Sequence, residues 1–262
     1  MALEPQSPET FNFIAGVARR YAKLIASSRA NRDEALGGQL FYAGELDGEG
    51  RMLVAAANIA GAATVTATAD LAGQKQAIRD GITDFLVNSL DETLRILKNQ
   101  LRKRQTVAVC VGLAPEAVEL EMQERGVEPD LLRRDLPTAP DPDALLIRSV
   151  AQTESDLRKI PALVTWSVSS APAQWLPKLD AIALECVGTE DWAARRWLHL
   201  SPRFLGRMAQ GLRLLDCNRE VAARFVERVS QAADRGEIAV ATEVQSRFSG
   251  VCDRRRFAPA KP

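Results

Sequence analysis

The chain reads as an α/β protein with a mainly parallel sheet and flanking helices. Three observations predict it. Short apolar runs alternate with stretches of helical periodicity, as βαβ units do. The run Thr106-Val-Ala-Val-Cys-Val-Gly112 is apolar between its ends, which suits a strand buried on both faces of a parallel sheet. The stretch Leu36–Arg51, running on to Asn58-Ile-Ala-Gly61, reads as a strand, a glycine-rich turn and a helix. That arrangement brings backbone N–H groups and a helix N-terminus against a phosphate.

Each element has its own local reason. Ser7-Pro8-Glu9 is a helix start, with a cap, a first-turn proline and an acid facing the dipole. Phe11, Ile14, Val17, Ala18, Tyr21 and Leu24 then repeat at helical spacing. A loop around Asn31–Glu34 leads to a strand at Gln39–Ala43, and after the glycine turn Met52–Ile59 is an alanine-rich helix. Ala62–Thr68 is a strand by its apolar and β-branched residues. Ser89-Leu-Asp-Glu92 is a capping box ahead of the stripe Leu90, Leu94, Ile96, Leu97 and Leu101. Ala114–Arg125 is a helix closed by Gly126, and a short strand follows at Asp130–Leu132. Beyond the loop through Pro137, Pro140 and Pro142, the pattern predicts a helix at Ala144–Lys159 and strands at Ala162–Val168 and Asp180–Cys186. From Thr189 to Arg235 it turns helical, with a last strand at Ile238–Val244.

These elements suggest one domain over residues 1–250, with an N-terminal helix and a helical C-terminal addition. All four tryptophans lie beyond Pro161. They mark either a helical subdomain at 189–236 or the core of one domain. Arg254-Arg-Arg256 then sits in a flexible basic tail, residues 251–262. Lys+Arg and Asp+Glu both number 34, so no global field favours nucleic acid or an anionic membrane. The N-terminus lacks the charged start and apolar core of a signal peptide, and no run is long enough to span a bilayer. A cytoplasmic protein with reduced thiols is expected.

The residues that could carry chemistry are few. Cys110, Cys186, Cys217 and Cys252 are widely spaced and His199 is the single histidine, so no metal centre is expected. Glu45, Asp47 and Glu49 within the glycine turn are read as a solvated acidic turn in preference to a cation site. His199 is expected to be packed, Cys110 to be core, and Glu116 to face a helix dipole. Glu116 and Glu119 nonetheless follow the carboxyl end of a parallel strand, where open α/β sheets bind ligands.

The chain resembles the central, NAD-binding, Rossmann-like part of the urocanases (urocanate hydratases). The resemblance is carried by Phe13-Ile-Ala-Gly-Val-Ala-Arg-Arg20, Gly37-Gly-Gln-Leu40, Ala43-Gly44 and Asn58-Ile-Ala-Gly61. It continues through Asp70, Gly81, Asp84, Leu90-Asp-Glu-Thr-Leu94, Ala114, Glu116, Arg125-Gly-Val-Glu-Pro-Asp130 and Thr138-Ala-Pro-Asp-Pro142, and thins out afterwards. It implies a Rossmann-like fold, a homodimer, and NAD+ acting as an electrophile on the imidazole of urocanate. The residues placed at the cofactor are Gly44, Gly48, Gly50, Thr68, Asp135, Thr138 and Asp141.

The departures from that family fall at the cofactor. Its loop, similar to G-L-G-G-M-G-G-A-Q, is here Gly44-Glu-Leu-Asp-Gly-Glu-Gly50. A unit charge about 4 Å from a phosphate costs on the order of 1 kcal/mol in water and several times that near a protein surface. Thr68 stands where the family has an acid for the ribose, Gly73 where it has an arginine, and Pro140 where it has a histidine. Cys186-Val-Gly188 with Arg196-Trp197 loosely resembles the family's F-C-R-G-x-G-P-F-R-W segment, which makes Cys186 the one candidate functional thiol. By itself Cys186 reads as a small buried hydrophobe at a strand end.

Two functions are expected from these residues. In the first, a urocanase-related protein has lost tight NAD binding and hydratase activity and binds a small molecule, a nucleotide or a partner. In the second, an NAD-using lyase of the urocanase type acts on an imidazole-like or other small acid. A homodimer through the helices between Thr189 and Arg235 is expected in either case, with one of Trp192 and Trp197 filling the core and the other at the partner surface.

Overall fold

The computed structural model describes residues 8–27, 32–136, 160–206, 210–248 and 251–258. Its first helix, α1 (Pro8–Ser27), has Glu9 in the first turn, against the positive end of the dipole. Then β1 (Leu40–Glu45), α2 (Gly48–Ala60), β2 (Ala63–Ala67), α3 (Leu71–Arg79), β3 (Phe85–Val87), α4 (Leu90–Lys103), β4 (Val107–Val111), α5 (Pro115–Glu124) and β5 (Leu131–Leu132) alternate. The strands form one parallel sheet in the order β3-β4-β2-β1-β5. The α/β, Rossmann-like architecture expected from the sequence is therefore present.

The chain steps outward from β1 to β3 and then returns. Right-handed crossovers accordingly put α2 and α3 on one face and α4 and α5 on the other. Every residue of β2 and β4 is buried, as the continuous apolar run of β4 and the apolar and β-branched residues of β2 predict. On the α4–α5 side the core joins Tyr42, Val65 and Val109 of the strands to Leu97, Val118 and Met122 of the helices. On the other side the fully buried Ala55, Ala56 and Ala57 let α2 lie close to the sheet. The capping box behaves as its spacing requires: Ser89 Oγ accepts the Glu92 N–H at 3.3 Å.

The described residues fall into two compact units, in place of the one domain expected. One contains Ala15–Pro137 with Arg203–Arg207, and holds the parallel sheet. The other has its own sheet, built from β6 (Pro161–Val168), β7 (Leu212–Asn218), β8 (Thr242–Phe248) and β9 (Val251–Phe257). Its order is β7-β6-β8-β9, antiparallel throughout. Helices α6 (Pro172–Cys186), α7 (Trp192–Phe204) and α8 (Arg219–Asp234) accompany it. Trp166 is 1% exposed at the centre of this core, with its ring 4.8 Å from that of Phe225.

Several expectations for the second half are corrected. Asp180–Cys186 is the end of helix α6, where Leu176, Leu179, Asp180, Ala183 and Cys186 are buried at helical spacing. The helical addition at 189–236 is interrupted by β7, whose leucines pair with β6 despite their helix propensity. The last predicted strand lies further on, as β8. The tail expected to be flexible contains β9, held to β8 by backbone pairing and by Arg254 and Arg256 on Glu243. The helix predicted at Ala144–Lys159 lies outside the described residues.

Candidate functional site

The glycine turn is built as a strand-to-helix corner. Gly44 has φ +70°, a left-handed conformation that a side chain would strain. Gly50 sits where the first turn of α2 crosses the end of β1. A Cβ there would stand 1.9 Å from the Glu45 carbonyl oxygen, so the helix approaches the strand this closely only with glycine. Gly48 faces open space, with nothing within 4 Å of a Cβ. Dinucleotide-binding corners use glycines for a turn, for ligand approach and for helix packing, at the different spacing G-x-G-x-x-G.

Two of the turn's three acids, Asp47 and Glu49, have ion-pair partners, which adds to the expected solvated turn; Asp47 is exposed as well as paired. Asp47 is the N-cap of α2, and its Oδ1 accepts the Gly50 N–H at 2.6 Å. Arg133, just after β5, places Nη1 3.2 Å from Asp47 Oδ1 and Nη2 3.1 Å from Oδ2, and also donates to the Glu45 carbonyl. Partial burial pushes the Asp47 carboxyl up, but the hydrogen bonds from Arg133 and Gly50 outweigh it and hold the group below its usual range. Glu49 pairs with Arg20 of α1, whose Nε lies 2.7 Å from Oε1. Glu45 is half-buried at the end of β1.

The end of the next strand is also engaged internally. Thr68 is buried, and its Oγ1 accepts the Asp70 N–H at 3.2 Å. Its carbonyl accepts the Gln74 amide at 2.7 Å. The acid in this loop is Asp70, which caps α3 by accepting from Ala72 and Gly73 at 2.9 and 3.0 Å. A Cβ at Gly73 would come within 2.9 Å of Asp70 Oδ2, so a side chain there would press on the Asp70 cap.

The remaining sequence candidates do not gather here. Asp135 is exposed in the 3₁₀ turn Arg133–Asp135, while Thr138 and Asp141 lie outside the described residues. Cys186 is 1% exposed in the other unit, at a helix end and not at a strand end, and burial pushes its thiol up. A thiol so placed is a poor nucleophile. Cys110 is a core residue as expected, with its thiol pushed up to about 12 by burial and then by Glu45. His199 is exposed, contrary to its expected packing, because α7 turns Trp197 and Leu198 inward instead. Among the described residues no group of His, Cys, Asp and Glu converges as metal ligands, and no helix is long and apolar enough to cross a membrane.

The site also contains residues that sequence reading missed. Arg133 lies 86 positions from Asp47, and Arg20 lies 29 from Glu49, so no local spacing announces either pair. Tyr42 was legible only as a strand residue. It is 3% exposed, and its hydroxyl donates to the Pro115 carbonyl at 3.3 Å.

A dinucleotide does not fit this corner well. Its pyrophosphate would have to displace the Asp47 carboxylate from the N-terminus of α2 and would face Glu45, while no acid remains for the ribose at Thr68. The architecture nevertheless retains its origin. The family model of the urocanase Rossmann-like domain matches residues 16–140. That span coincides closely with the parallel-sheet unit, Ala15–Pro137. Residues 16–140 of this chain are thus a Rossmann-like domain of the urocanase family.

Proposed function

We propose that this urocanase-related protein has given up tight NAD binding and urocanate hydration, and acts as a small-ligand-binding or partner protein. The observation that carries the proposal is Asp47 at the N-terminus of α2, bound by both the Gly50 N–H and Arg133. The protein's own carboxylate takes the place that a phosphate takes in a dinucleotide-binding corner. Thr68 and the Asp70 cap support the same conclusion at the ribose end. The unpaired thiols Cys110, Cys186, Cys217 and Cys252 suit a reducing compartment such as the cytoplasm.

The test is direct. Purified protein is heat-denatured and the supernatant is read near 260 nm, and fresh protein is melted with and without added NAD. The expected result is no released nucleotide and no shift in Tm. Saturating binding at a hundredfold excess over Kd would instead add about 2.7 kcal/mol. Loss of the near-ultraviolet absorbance of urocanate on incubation with the protein would overturn the proposal outright.

The geometry of Gly44, Gly48 and Gly50 favours a second function, an NAD-using lyase of the urocanase type acting on an imidazole-like or other small acid. Co-purifying nucleotide together with turnover is the result that would establish it. A homodimer is proposed in both cases. Trp197 is buried and donates to the Leu214 carbonyl at 2.6 Å, so Trp192, half-buried, is the one left for a partner. Light scattering at micromolar concentration separates a dimer from a mass of one chain.

A further inference from the structure

A cavity of about 760 Å³ runs along β1 and β5 beside α5, within the parallel-sheet unit. Its volume is that of a small-molecule site. Its apolar side is made by Met122, Val127 and Leu132, which pack with the Tyr42 ring in the sheet core. Its polar side is made by the Tyr42 hydroxyl with Glu45 and Glu119. Burial first, then Glu119, Glu116 and Glu45, raise the Tyr42 phenol, so it remains a protonated donor and several carboxylates act on one point. The cation lining the cavity beside β1, Arg133, is committed to Asp47 and the Glu45 carbonyl. Arg134 lies at the exposed rim.

We infer that this cavity binds a small organic cation with an apolar body. Its ammonium group sits against Glu45, Glu119 and Tyr42, and its body lies on Met122 and Leu132. The charge distribution decides the ligand's sign. An anion seated at the polar end would meet two carboxylates and a guanidinium already satisfied by another acid, whereas an ammonium group exchanges water for charge-assisted hydrogen bonds to the carboxylates and the phenol oxygen. The inference deepens the proposal of a small-ligand protein and rests on it, but it uses the α5 side of β1 and none of the dinucleotide contacts at Thr68.

The experiment titrates the full chain with phenethylammonium and with phenylacetate, which share a ring and differ in charge, by calorimetry and by Tm. Phenethylammonium is expected to bind and to raise Tm, with phenylacetate at least about tenfold weaker. Glu119 is exposed on α5, so Glu119→Gln and Glu119→Lys leave the fold intact. The first is expected to weaken the amine about tenfold and the second to abolish its binding. Equal binding of both probes, no amine binding up to about 10 mM, or unchanged affinity in Glu119→Lys would each overturn the inference. Nucleotide release on the same preparation keeps the two failures apart. Bound NAD defeats the proposed loss of cofactor, while the amine titration alone decides the cavity.

Discussion

Arg133 reaches across the glycine turn and holds Asp47 by both carboxylate oxygens, at 3.2 and 3.1 Å. The turn thereby neutralises its own helix-capping acid, and Arg20 does the same for Glu49. A loop with three acids remains folded around a helix N-terminus because two of them have partners from elsewhere in the unit.

Asp47→Ser keeps a side-chain cap on α2 and releases Arg133. The variant is expected to gain affinity for ADP by about tenfold, since a like charge is removed and a guanidinium and helix N-terminus are exposed together. Calorimetric titration of wild type and variant measures it, and an unchanged or weaker affinity would count against internal occupation of the corner. Stability has its own sign. The Asp47 carboxyl is held below its usual range, so its contribution is present above about pH 4 and is lost as pH falls through the lowered folded value. The side chain is 46% exposed, so the acid-limb change in Tm is small and shrinks with salt.

Gly50→Ala and Gly48→Ala separate packing from propensity. A methyl at Gly50 collides with the Glu45 carbonyl at 1.9 Å, and the helix must move away from β1. The expected loss is about 2–3 kcal/mol in urea unfolding. At Gly48 nothing stands within 4 Å, and the same change is expected to be neutral or to stabilise by about 0.5 kcal/mol. Similar effects at the two positions would contradict the close helix approach.

Thr64 lies fully buried on β2, and its Oγ1 has no hydrogen-bond partner among the described residues. Thr64→Val keeps the β-branched shape and removes the buried hydroxyl. Stabilisation of about 1 kcal/mol is expected, read as a rise in the urea midpoint at unchanged m. A loss of the same size would mean that the hydroxyl is satisfied in solution.

What the sequence made legible was local or continuous. Thr106–Gly112 announced β4 because a strand buried on both faces needs apolar residues at every position, and Ser89 with Glu92 announced α4 by cap chemistry alone. The corner at Gly44 and Gly50 was legible for the same reason. Its counter-charges were not, since Arg133 and Arg20 arrive through the fold. β3 escaped notice because it is three residues long with Phe85 and Leu86 exposed, and so has no alternation to read. In the second unit, β7 was mistaken for helix because long-range pairing with β6 decides it. Conversely, Asp180–Cys186 looked like a strand because its four-residue apolar stretch, Ala181–Leu184, hides the helical spacing that begins at Leu176.

That misread segment contains a buried charge of the second unit. Asp180 accepts from Trp166 Nε1 at 3.0 Å and from Arg213 Nε at 3.0 Å, and the two ion-pair side chains are only 12% and 13% exposed. Burial raises the Asp180 carboxyl above its usual value, outweighing Arg213 and Trp166, which lower it. An acid with a raised folded pKa binds its proton more tightly in the folded state. The folded state therefore gains as pH falls through the raised value, and stability declines as pH rises from the ordinary aspartate value through it. Asp180→Asn is expected to remove that slope at a cost of about 1 kcal/mol, because an amide oxygen still accepts from Trp166. Arg213→Met is expected to cost about 3 kcal/mol at neutral pH by leaving the carboxylate buried and unpaired, and much less in acid, where Asp180 is protonated. Urea unfolding of both variants from acid to neutral pH measures this. An Asp180→Asn loss as large as that of Arg213→Met would show that the ion pair, and not the desolvation of Asp180, dominates the site.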